Sequence, residues 1–184
     1  MAKRKIIVMI ATSADGFIAR KDGAVDWLNR PRPKGNYGMA AFWKSIDTIV
    51  MGRKTYDMAA KFIKEGKATP GMSRGIKHHV FSRKPRQTAF EGFEFVNEPI
   101  KKFAGALRKQ KGKNIFMLGG AGIIGSFLDE DEIDEFIINV IPVFIGEGIP
   151  LIAAKRRTAP LRLISTKKFS DGVVQLHYEV MRGK

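Results

Sequence analysis

A glycine-rich turn between an apolar strand and a helix is the feature of this sequence best suited to chemistry. In the segment KNIFMLGGAGIIGSF, residues 113–127, an apolar strand leads into a turn that contains Gly119, Gly120 and Gly122. Glycines let the backbone turn sharply and approach a ligand, and the following helix directs unpaired N–H groups and its positive dipole end at the turn. The pattern indicates a phosphate-binding turn, although a turn that needs glycine only for its geometry fits the same residues.

The same glycines also match the G-x-G-x-x-G fingerprint of a Rossmann dinucleotide site, through Gly120, Gly122 and Gly125. That fingerprint belongs to a first βαβ unit and is followed, about 20 positions later, by an acidic residue at the end of the next strand. Here the glycines lie in the last third of the chain, and the next strand ends in NVIP at 139–142 without a carboxylate. We therefore reject a Rossmann fold for this chain.

Two further strand ends carry groups that bind anions. Gly52, Arg53 and Thr55 follow one apolar strand and begin a helix, and Ser82 and Arg83 follow another strand. Helix N-termini, guanidinium groups and hydroxyls all bind phosphate. Because the carboxyl ends of parallel strands meet at one edge of an open α/β sheet, we expect these groups and the glycine-rich turn to lie together.

The spacing of apolar residues predicts the elements that position these groups. Strands and helices alternate from Lys5 onward, and the last two strands, 161–169 and 173–181, are joined by a tight turn. We predict an α/β fold with a mostly parallel central sheet of about eight strands, helices on both faces and a C-terminal antiparallel hairpin. We also expect Asn97 to cap a helix that runs to about Gln110, and the loop between Glu65 and Gly75 to be mobile.

Length and composition narrow the class of protein. The 184 residues suit one domain covering 1–184, and 44% hydrophobic with 28% charged residues is ordinary for a soluble globular protein. No apolar run is long enough to span a bilayer, so we expect a cytoplasmic protein without a membrane partner. The absence of cysteine excludes disulfides, thiolate metal sites and a cysteine nucleophile, and three histidines argue against a zinc site.

The formal net charge of +15 favours anionic partners, either nucleic acid or phosphorylated small molecules. The cations are spread over chain ends, loops and exposed helix faces, without an aromatic-studded RNA-binding motif or a helix-turn-helix pattern. We therefore expect nucleic acid to bind only through nonspecific electrostatic attraction.

The order of the motifs resembles the dihydrofolate reductase fold, and more closely its branch that contains the reductase domain of the bifunctional riboflavin-pathway deaminase-reductase. The resemblance covers nearly the whole chain, from the strand ending at Ala11 onward. The other matching segments are SADGFIA (13–19), DWL (26–28), MGRKT (51–55), FSR (81–83), LGG (118–120) and PVFIGEGIPL (142–151). The zinc-binding deaminase half of the bifunctional enzyme has no counterpart, because the sequence lacks a cysteine pair.

The resemblance implies NADPH as cofactor. It places Gly52, Arg53 and Thr55 at the diphosphate and adenosine end, and Ser82 with Arg83 at the 2′-phosphate, whose charge is the physical reason to prefer NADPH over NADH. It assigns the nicotinamide to contacts with Ala11 and Ile18. The remaining cofactor contacts come from the glycine-rich turn: Gly119, Gly120, Ala121, Gly122, Ile123 and Ile124.

The substrate side departs from the folate-reducing pattern. Those enzymes place a carboxylate near the start of the first helix, whereas this chain has Asn36 and Tyr37 there. Asp15 and Asp26 are then the nearest candidates for a catalytic carboxylate, although either one can simply shape its turn. The resemblance also gives three candidate substrate contacts: Trp27, Tyr37 and Glu147.

The sequence thus predicts an NADPH-dependent reductase that transfers hydride to a small heterocyclic or phosphorylated substrate. The riboflavin-type branch implies a 5-amino-6-(5-phosphoribosylamino)uracil-like substrate and a homodimer. Two alternatives stay open: a dihydrofolate or pterin reductase, and a noncatalytic, basic nucleic-acid-binding protein that keeps the reductase fold as a scaffold.

Overall fold

The computed structural model describes residues 3–65, 75–83, 92–155 and 157–182. The strands in these residues are β1 (Ile6–Ser13), β2 (Phe17–Ala19), β3 (Ile46–Gly52), β4 (Lys77–Phe81), β5 (Phe93–Val96), β6 (Asn114–Gly119), β7 (Glu135–Ile141), β8 (Ile149–Pro150), β9 (Leu161–Lys168) and β10 (Val174–Val180). The α-helices are α1 (Met39–Lys44), α2 (Arg53–Lys64), α3 (Ile100–Lys109) and α4 (Ala121–Asp129). Short 3-10 helices cover Asp26–Leu28 and Asn36–Gly38.

Eight of these strands form the central sheet, in the order β5-β4-β3-β6-β1-β7-β10-β9. The pairs from β5 to β7 are parallel, because a helix or a long connection returns the chain between most of them. β10 then pairs antiparallel with β7, and β9 antiparallel with β10. The predicted fold class is confirmed. A separate two-stranded sheet joins β2 to β8.

The hydrophobic core lies on both faces of the sheet. Alternation along β1 directs Ile6 and Val8 to one face and Ile7 and Met9 to the other. The first face is covered by buried side chains of α3 and α4, and the second by those of α1 and α2. The amphipathic helices thus bury their apolar stripes against the sheet, as their residue spacing predicts.

Local details differ from the sequence predictions in two places. The N-cap position of α3 is Pro99, without a capping side chain, so the prediction that Asn97 caps this helix is wrong. The first helix, expected to start near Asn36 and Tyr37, starts only at Met39, because residues 35–38 all have positive φ angles that an α-helix cannot contain. Most of the loop expected to be mobile, 66–74, lies outside the described residues.

None of the helices in the described ranges is both long enough and apolar enough to cross a membrane.

Candidate functional site

The three predicted anion-binding junctions lie side by side at one edge of the sheet. Strand register pairs Met51 with Gly119 and Gly52 with Phe81, so β3, β4 and β6 end together. A Cβ atom on Gly52 would lie 3.4 Å from the Ile123 side chain, which brings α4 against the end of β3. We call this side of the sheet, where β1, β3, β4, β6 and β7 end, the carboxyl edge.

Two helices begin at the carboxyl edge without a capping side chain. The N-cap of α2 is Gly52 and that of α4 is Gly120, and glycine has no side chain with which to cap either helix. Gly119 has a φ of +112°, a value that favours glycine, and its peptide bond to Gly120 is cis. A Cβ on Gly120 would lie 3.6 Å from the Thr55 hydroxyl oxygen, so the two helix starts adjoin each other. Their first-turn N–H groups therefore remain available to an anion.

Arg53 is held in place at the start of α2. Its Nε donates to Asp57 Oδ1 at 2.8 Å, and its guanidinium carbon lies 5.5 Å from the centre of the Phe95 ring. The backbone N–H of Ser82 donates to the carbonyl of Val96 at 3.0 Å, which fixes the residue after β4. Arg83 follows with an exposed side chain. The edge therefore carries one anchored and one exposed cation beside the two helix N-termini.

The end of β1 leads to a second part of the site. Ala11 lies opposite Asn139 of β7 and packs in a small apolar cluster with Trp27, Tyr37 and Val173. The indole N–H of Trp27 is buried and has no hydrogen-bond partner among the described residues. We call this region, around Ala11, Trp27 and Tyr37, the substrate end.

Two loops cover the substrate end and are tied to each other. β2 pairs with β8, and the backbone N–H of Ala14 donates to the carbonyl of Val143 at 2.8 Å. We call these loops, residues 14–20 and 143–150, the flap. Half-buried Ile18 lies in the flap, and Glu147 pairs there with Lys21.

Asp15 connects the two loops of the flap. Its Oδ2 accepts hydrogen bonds from the backbone N–H groups of Ile145 at 3.2 Å and Gly146 at 2.8 Å. A hydrogen bond from the Ser13 side chain, supported by these backbone donors, lowers the pKa of Asp15. The carboxylate is therefore ionised and engaged, an arrangement that suits a clamp better than a proton donor.

Asp26 is engaged in a similar way. Arg20 donates to it through Nε at 2.6 Å and through Nη2 at 2.8 Å, and this hydrogen bonding lowers the pKa of Asp26. The carboxylate is ionised and its two oxygens are occupied by one guanidinium. The geometry of Asp26 thus favours shaping of the loop before Trp27 over proton transfer.

Comparison with known proteins shows the family to which the chain belongs. The sequence model of the RibD C-terminal domain matches residues 4–175. The chain belongs to the RibD C-terminal domain family. "Uncharacterized protein YwjB" of Bacillus subtilis (strain 168) is 40% identical over 177 residues, which are 96% of this chain and 98% of that protein.

Two solved structures have the same fold as this chain. A protein of Shewanella sp. PV-4, provisionally named a riboflavin biosynthesis protein, has 31% identity and a TM-score of 0.84 over 97% of this chain and 99% of that one. The diaminohydroxyphosphoribosylaminopyrimidine deaminase/5-amino-6-(5-phosphoribosylamino)uracil reductase of Thermotoga maritima has 14% identity and a TM-score of 0.72. That match covers 97% of this chain and 57% of the Thermotoga chain, and at this identity it shows the fold alone.

The carboxyl edge of this RibD C-terminal domain fits a dinucleotide with a diphosphate. Glycine N-caps let a ligand approach the backbone at the starts of α2 and α4, where the first-turn N–H groups provide donors of the kind that phosphate oxygens need. Arg53 and Arg83 supply positive charge on the β4 side, where an additional ribose phosphate can be neutralised.

Sequence reasoning predicted Tyr37 as a substrate contact but missed the polar residues that surround it in this RibD C-terminal domain. The Tyr37 hydroxyl donates to Asp171 Oδ2 at 2.6 Å, and Arg30 donates to the carbonyl of Asp171 at 2.5 Å. The buried Gln175 amide donates to the Tyr37 carbonyl at 3.0 Å and to Asn139 Oδ1 at 2.9 Å. Tyr37 and Asp171 are 134 residues apart, and the SDG sequence at 170–172 indicated only a turn, so no local pattern could have joined them.

Proposed function

We propose that this RibD C-terminal domain is an NADPH-dependent reductase that transfers hydride to a small heterocyclic or phosphorylated substrate. The observation that carries the proposal is the pair of uncapped helix N-termini, at Gly52 and Gly120, which adjoin at the carboxyl edge. When bound, NADPH supplies the hydride, and the chain supplies binding, orientation and exclusion of water.

In this proposal, different residues of the carboxyl edge bind different parts of the cofactor. Gly52, Arg53 and Thr55 hold the diphosphate and the adenosine end, and Ser82 with Arg83 holds the 2′-phosphate. Gly119, Gly120, Ala121, Gly122, Ile123 and Ile124 enclose the diphosphate and the nicotinamide. A 2′-phosphate gives the Arg83 guanidinium a partner that NADH lacks, so the proposal includes a preference for NADPH.

The substrate end positions the acceptor. Ala11 and Ile18 orient the nicotinamide, Trp27 and Tyr37 bound the substrate pocket, and the flap excludes water from it. Asp15 and Asp26 act here by holding the flap and the Trp27 loop, because their carboxylates are ionised and already hydrogen-bonded. Glu147, paired with Lys21 in the flap, contributes to the same cover.

We propose a ribosylaminopyrimidine 5′-phosphate, of the 5-amino-6-(5-phosphoribosylamino)uracil type, as the first substrate to test. The family match supports it over dihydrofolate, as does the absence of a carboxylate at Asn36 and Tyr37, where folate reduction needs one. Dihydrofolate is the comparison substrate in the assay.

Fluorescence titration with NADPH and with NADH tests the cofactor assignment. We expect micromolar binding of NADPH, a preference over NADH of about tenfold or more, and loss of most of that preference in Arg83→Ala with NADH binding unchanged. Lys109→Ala, an exposed cation at the far end of α3, is the matched control and should bind both cofactors like the wild type. Equal affinity for the two cofactors would contradict the 2′-phosphate assignment.

The same titration separates the enzyme from a noncatalytic nucleic-acid-binding protein. Absence of NADPH binding, together with DNA affinity that falls steeply with salt, would support that alternative and overturn the reductase.

We further propose a homodimer that pairs through the C-terminal hairpin. All eight residues of the edge strand β9 are exposed, and Leu163 and Ile164 are 53% and 48% exposed. An edge strand with exposed apolar side chains can pair antiparallel with its copy about a two-fold axis. Light scattering should give twice the 20.5 kDa chain mass for the wild type and for Met58→Lys on α2, but a monomer for Leu163→Lys. A monomeric wild type would refute the proposal.

A further inference from the structure

We propose that Tyr37 determines substrate specificity by accepting a hydrogen bond from an N–H or O–H group of the substrate, and that Asp171 is the positioning residue that fixes Tyr37 for this task. The inference rests on the proposed reductase function and extends it to the recognition of the substrate. It is carried by the geometry of the turn between β9 and β10.

That turn reaches the substrate end because of the sheet topology. β10 runs antiparallel to β7, and its first residue, Val174, lies opposite Val140 near the end of β7. The turn therefore sits at the carboxyl edge, although the hairpin is the last part of the chain. A Cβ on Gly172 would lie 3.4 Å from Pro142, which places the turn against the base of the flap.

The segment that carries Tyr37 is held in a conformation that most residues avoid. Tyr37 has φ +57° and ψ +27°, and the side chain is buried against Phe169 with ring centres 5.0 Å apart. Gln175 binds the Tyr37 carbonyl, and Asp171 binds the hydroxyl. Left-handed backbone in a bulky residue persists only where the surroundings hold it, and these contacts come from two elements distant in sequence.

The hydrogen bond to Asp171 decides what the Tyr37 hydroxyl can do. The hydroxyl has one proton, and it donates that proton to Asp171 Oδ2 at 2.6 Å. Burial, followed by the hydrogen bond to Asp171, raises the pKa of Tyr37, and the hydrogen bond from Tyr37 lowers the pKa of Asp171. Tyr37 is therefore neutral with its proton committed, so its oxygen meets a ligand as an acceptor and not as an acid.

The charges around the pair support this assignment. Arg30 lies 3.7 Å from Asp171 Oδ2 and also binds its carbonyl, and its charge lowers the pKa of Asp171. Together with the hydrogen bond from Tyr37, Arg30 keeps Asp171 ionised, and an ionised Asp171 holds the hydroxyl proton on its own side of the Tyr37 oxygen. Asp171 thus orients the Tyr37 oxygen as a hydrogen-bond acceptor near the start of α1. The residues at this place in the sequence, Asn36 and Tyr37, have no carboxylate.

Steady-state NADPH oxidation with the ribosylaminopyrimidine 5′-phosphate tests the inference in four proteins: wild type, Tyr37→Phe, Asp171→Asn and the double variant. We expect KM for this substrate to rise about tenfold in Tyr37→Phe, with the Kd for NADPH within twofold of wild type. Asp171→Asn should raise KM similarly. The double variant should be no worse than Tyr37→Phe, because Asp171 acts through the hydroxyl. Asp131→Asn, which removes the same charge in the loop between α4 and β7, is the control and should leave KM unchanged.

The outcomes distinguish this inference from the proposed function. A wild type that does not turn over the substrate overturns the proposed substrate, and this inference with it. A wild type that is active, with a Tyr37→Phe variant of unchanged KM, overturns the inference alone. If the effects on KM add in the double variant, Asp171 does not act through Tyr37. If the variants also lose NADPH affinity and thermal stability, the contact between Asp171 and Tyr37 is only structural. Either result would overturn the inference.

Discussion

A substitution at Gly122 can test ligand binding without disturbing the fold. Gly122 is the second residue of α4, and a Cβ added there would meet no atom within 4 Å. Gly105, inside α3, is equally free of neighbours. Alanine replaces glycine in a helix with a gain of about 0.5–1 kcal/mol, so neither substitution should harm the fold.

We therefore predict that Gly122→Ala and Gly105→Ala both raise Tm by about 1–3 °C. Only Gly122→Ala should weaken NADPH binding, by about tenfold, because its methyl group occupies space that the proposed cofactor approaches. Thermal melts and NADPH titrations of the two variants measure both effects. Unchanged NADPH affinity in Gly122→Ala would remove this glycine from the proposed cofactor site.

His79 gives the protein a sensitivity to acid. Its ring is buried against Phe103, and neither nitrogen makes a hydrogen bond within the described residues, although Nδ1 lies 3.3 Å from a carboxylate oxygen of the exposed Glu94. Burial lowers the pKa of His79 below its ordinary value of 6.5, and Glu94 offsets this only partly. The unfolded chain then binds the proton more readily than the folded one, so stability is complete above pH 6.5 and declines as the pH falls through the folded-state pKa.

We predict that the free energy of unfolding falls less between pH 7.5 and pH 5 in His79→Phe than in the wild type. Phenylalanine preserves the edge-to-face contact with Phe103 and cannot take up a proton. Urea unfolding at the two pH values measures the difference. Glu94→Gln is the matched control, and its loss should exceed that of the wild type because a neighbouring negative charge is gone. An acid loss in His79→Phe as large as in the wild type would place the sensitivity elsewhere.

At the scale of elements, the flap is held to the sheet by a few contacts in which Asp15 takes part. The Asp15 carboxylate binds the amides of Ile145 and Gly146, whereas Asp22, in the turn after β2, binds the amide of Ala24 within its own turn. We predict that Asp15→Ala speeds hydrogen exchange at residues 143–147 and lowers kcat/KM, with Tm close to that of the wild type. Asp22→Ala should leave exchange in 143–147 unchanged. Equal protection of these amides in both variants would contradict a clamping role for Asp15.

The sequence predicted those elements whose signals are local. Apolar strands that end at Gly52 and Gly119 have the spacing and the glycines of a strand-to-helix turn, so the carboxyl edge could be located without coordinates. Asn97 was a plausible cap, but α3 begins after Pro99, because a residue that precedes proline, here Glu98, avoids the helical conformation that a cap at Asn97 would require of it. The contact between Tyr37 and Asp171 depends on how β10 is placed beside β7, which no local pattern specifies.

At the scale of the whole molecule, the positive charge acts in two ways: locally in ion pairs and at long range as a potential around the protein. Many cations already have partners: Arg4, Arg108 and Arg182 pair with carboxylates at the edge opposite the candidate site. These pairs stabilise the amino ends of the strands. The net charge of +15 nevertheless creates a positive potential around the protein, which attracts any anionic ligand before contact.

We predict that this potential controls the rate at which NADPH binds and leaves its release unchanged. The association rate should fall about tenfold between 20 and 200 mM salt, because screening shortens the reach of the field. Reversing the exposed Lys109 and Lys111, at the edge opposite the candidate site, to glutamate should slow association about two- to threefold at low salt and have little effect at high salt. Stopped-flow fluorescence measures both rates. Both lysines lie away from the carboxyl edge, so they should not act on the bound cofactor. A faster dissociation in the reversed variant would contradict this prediction.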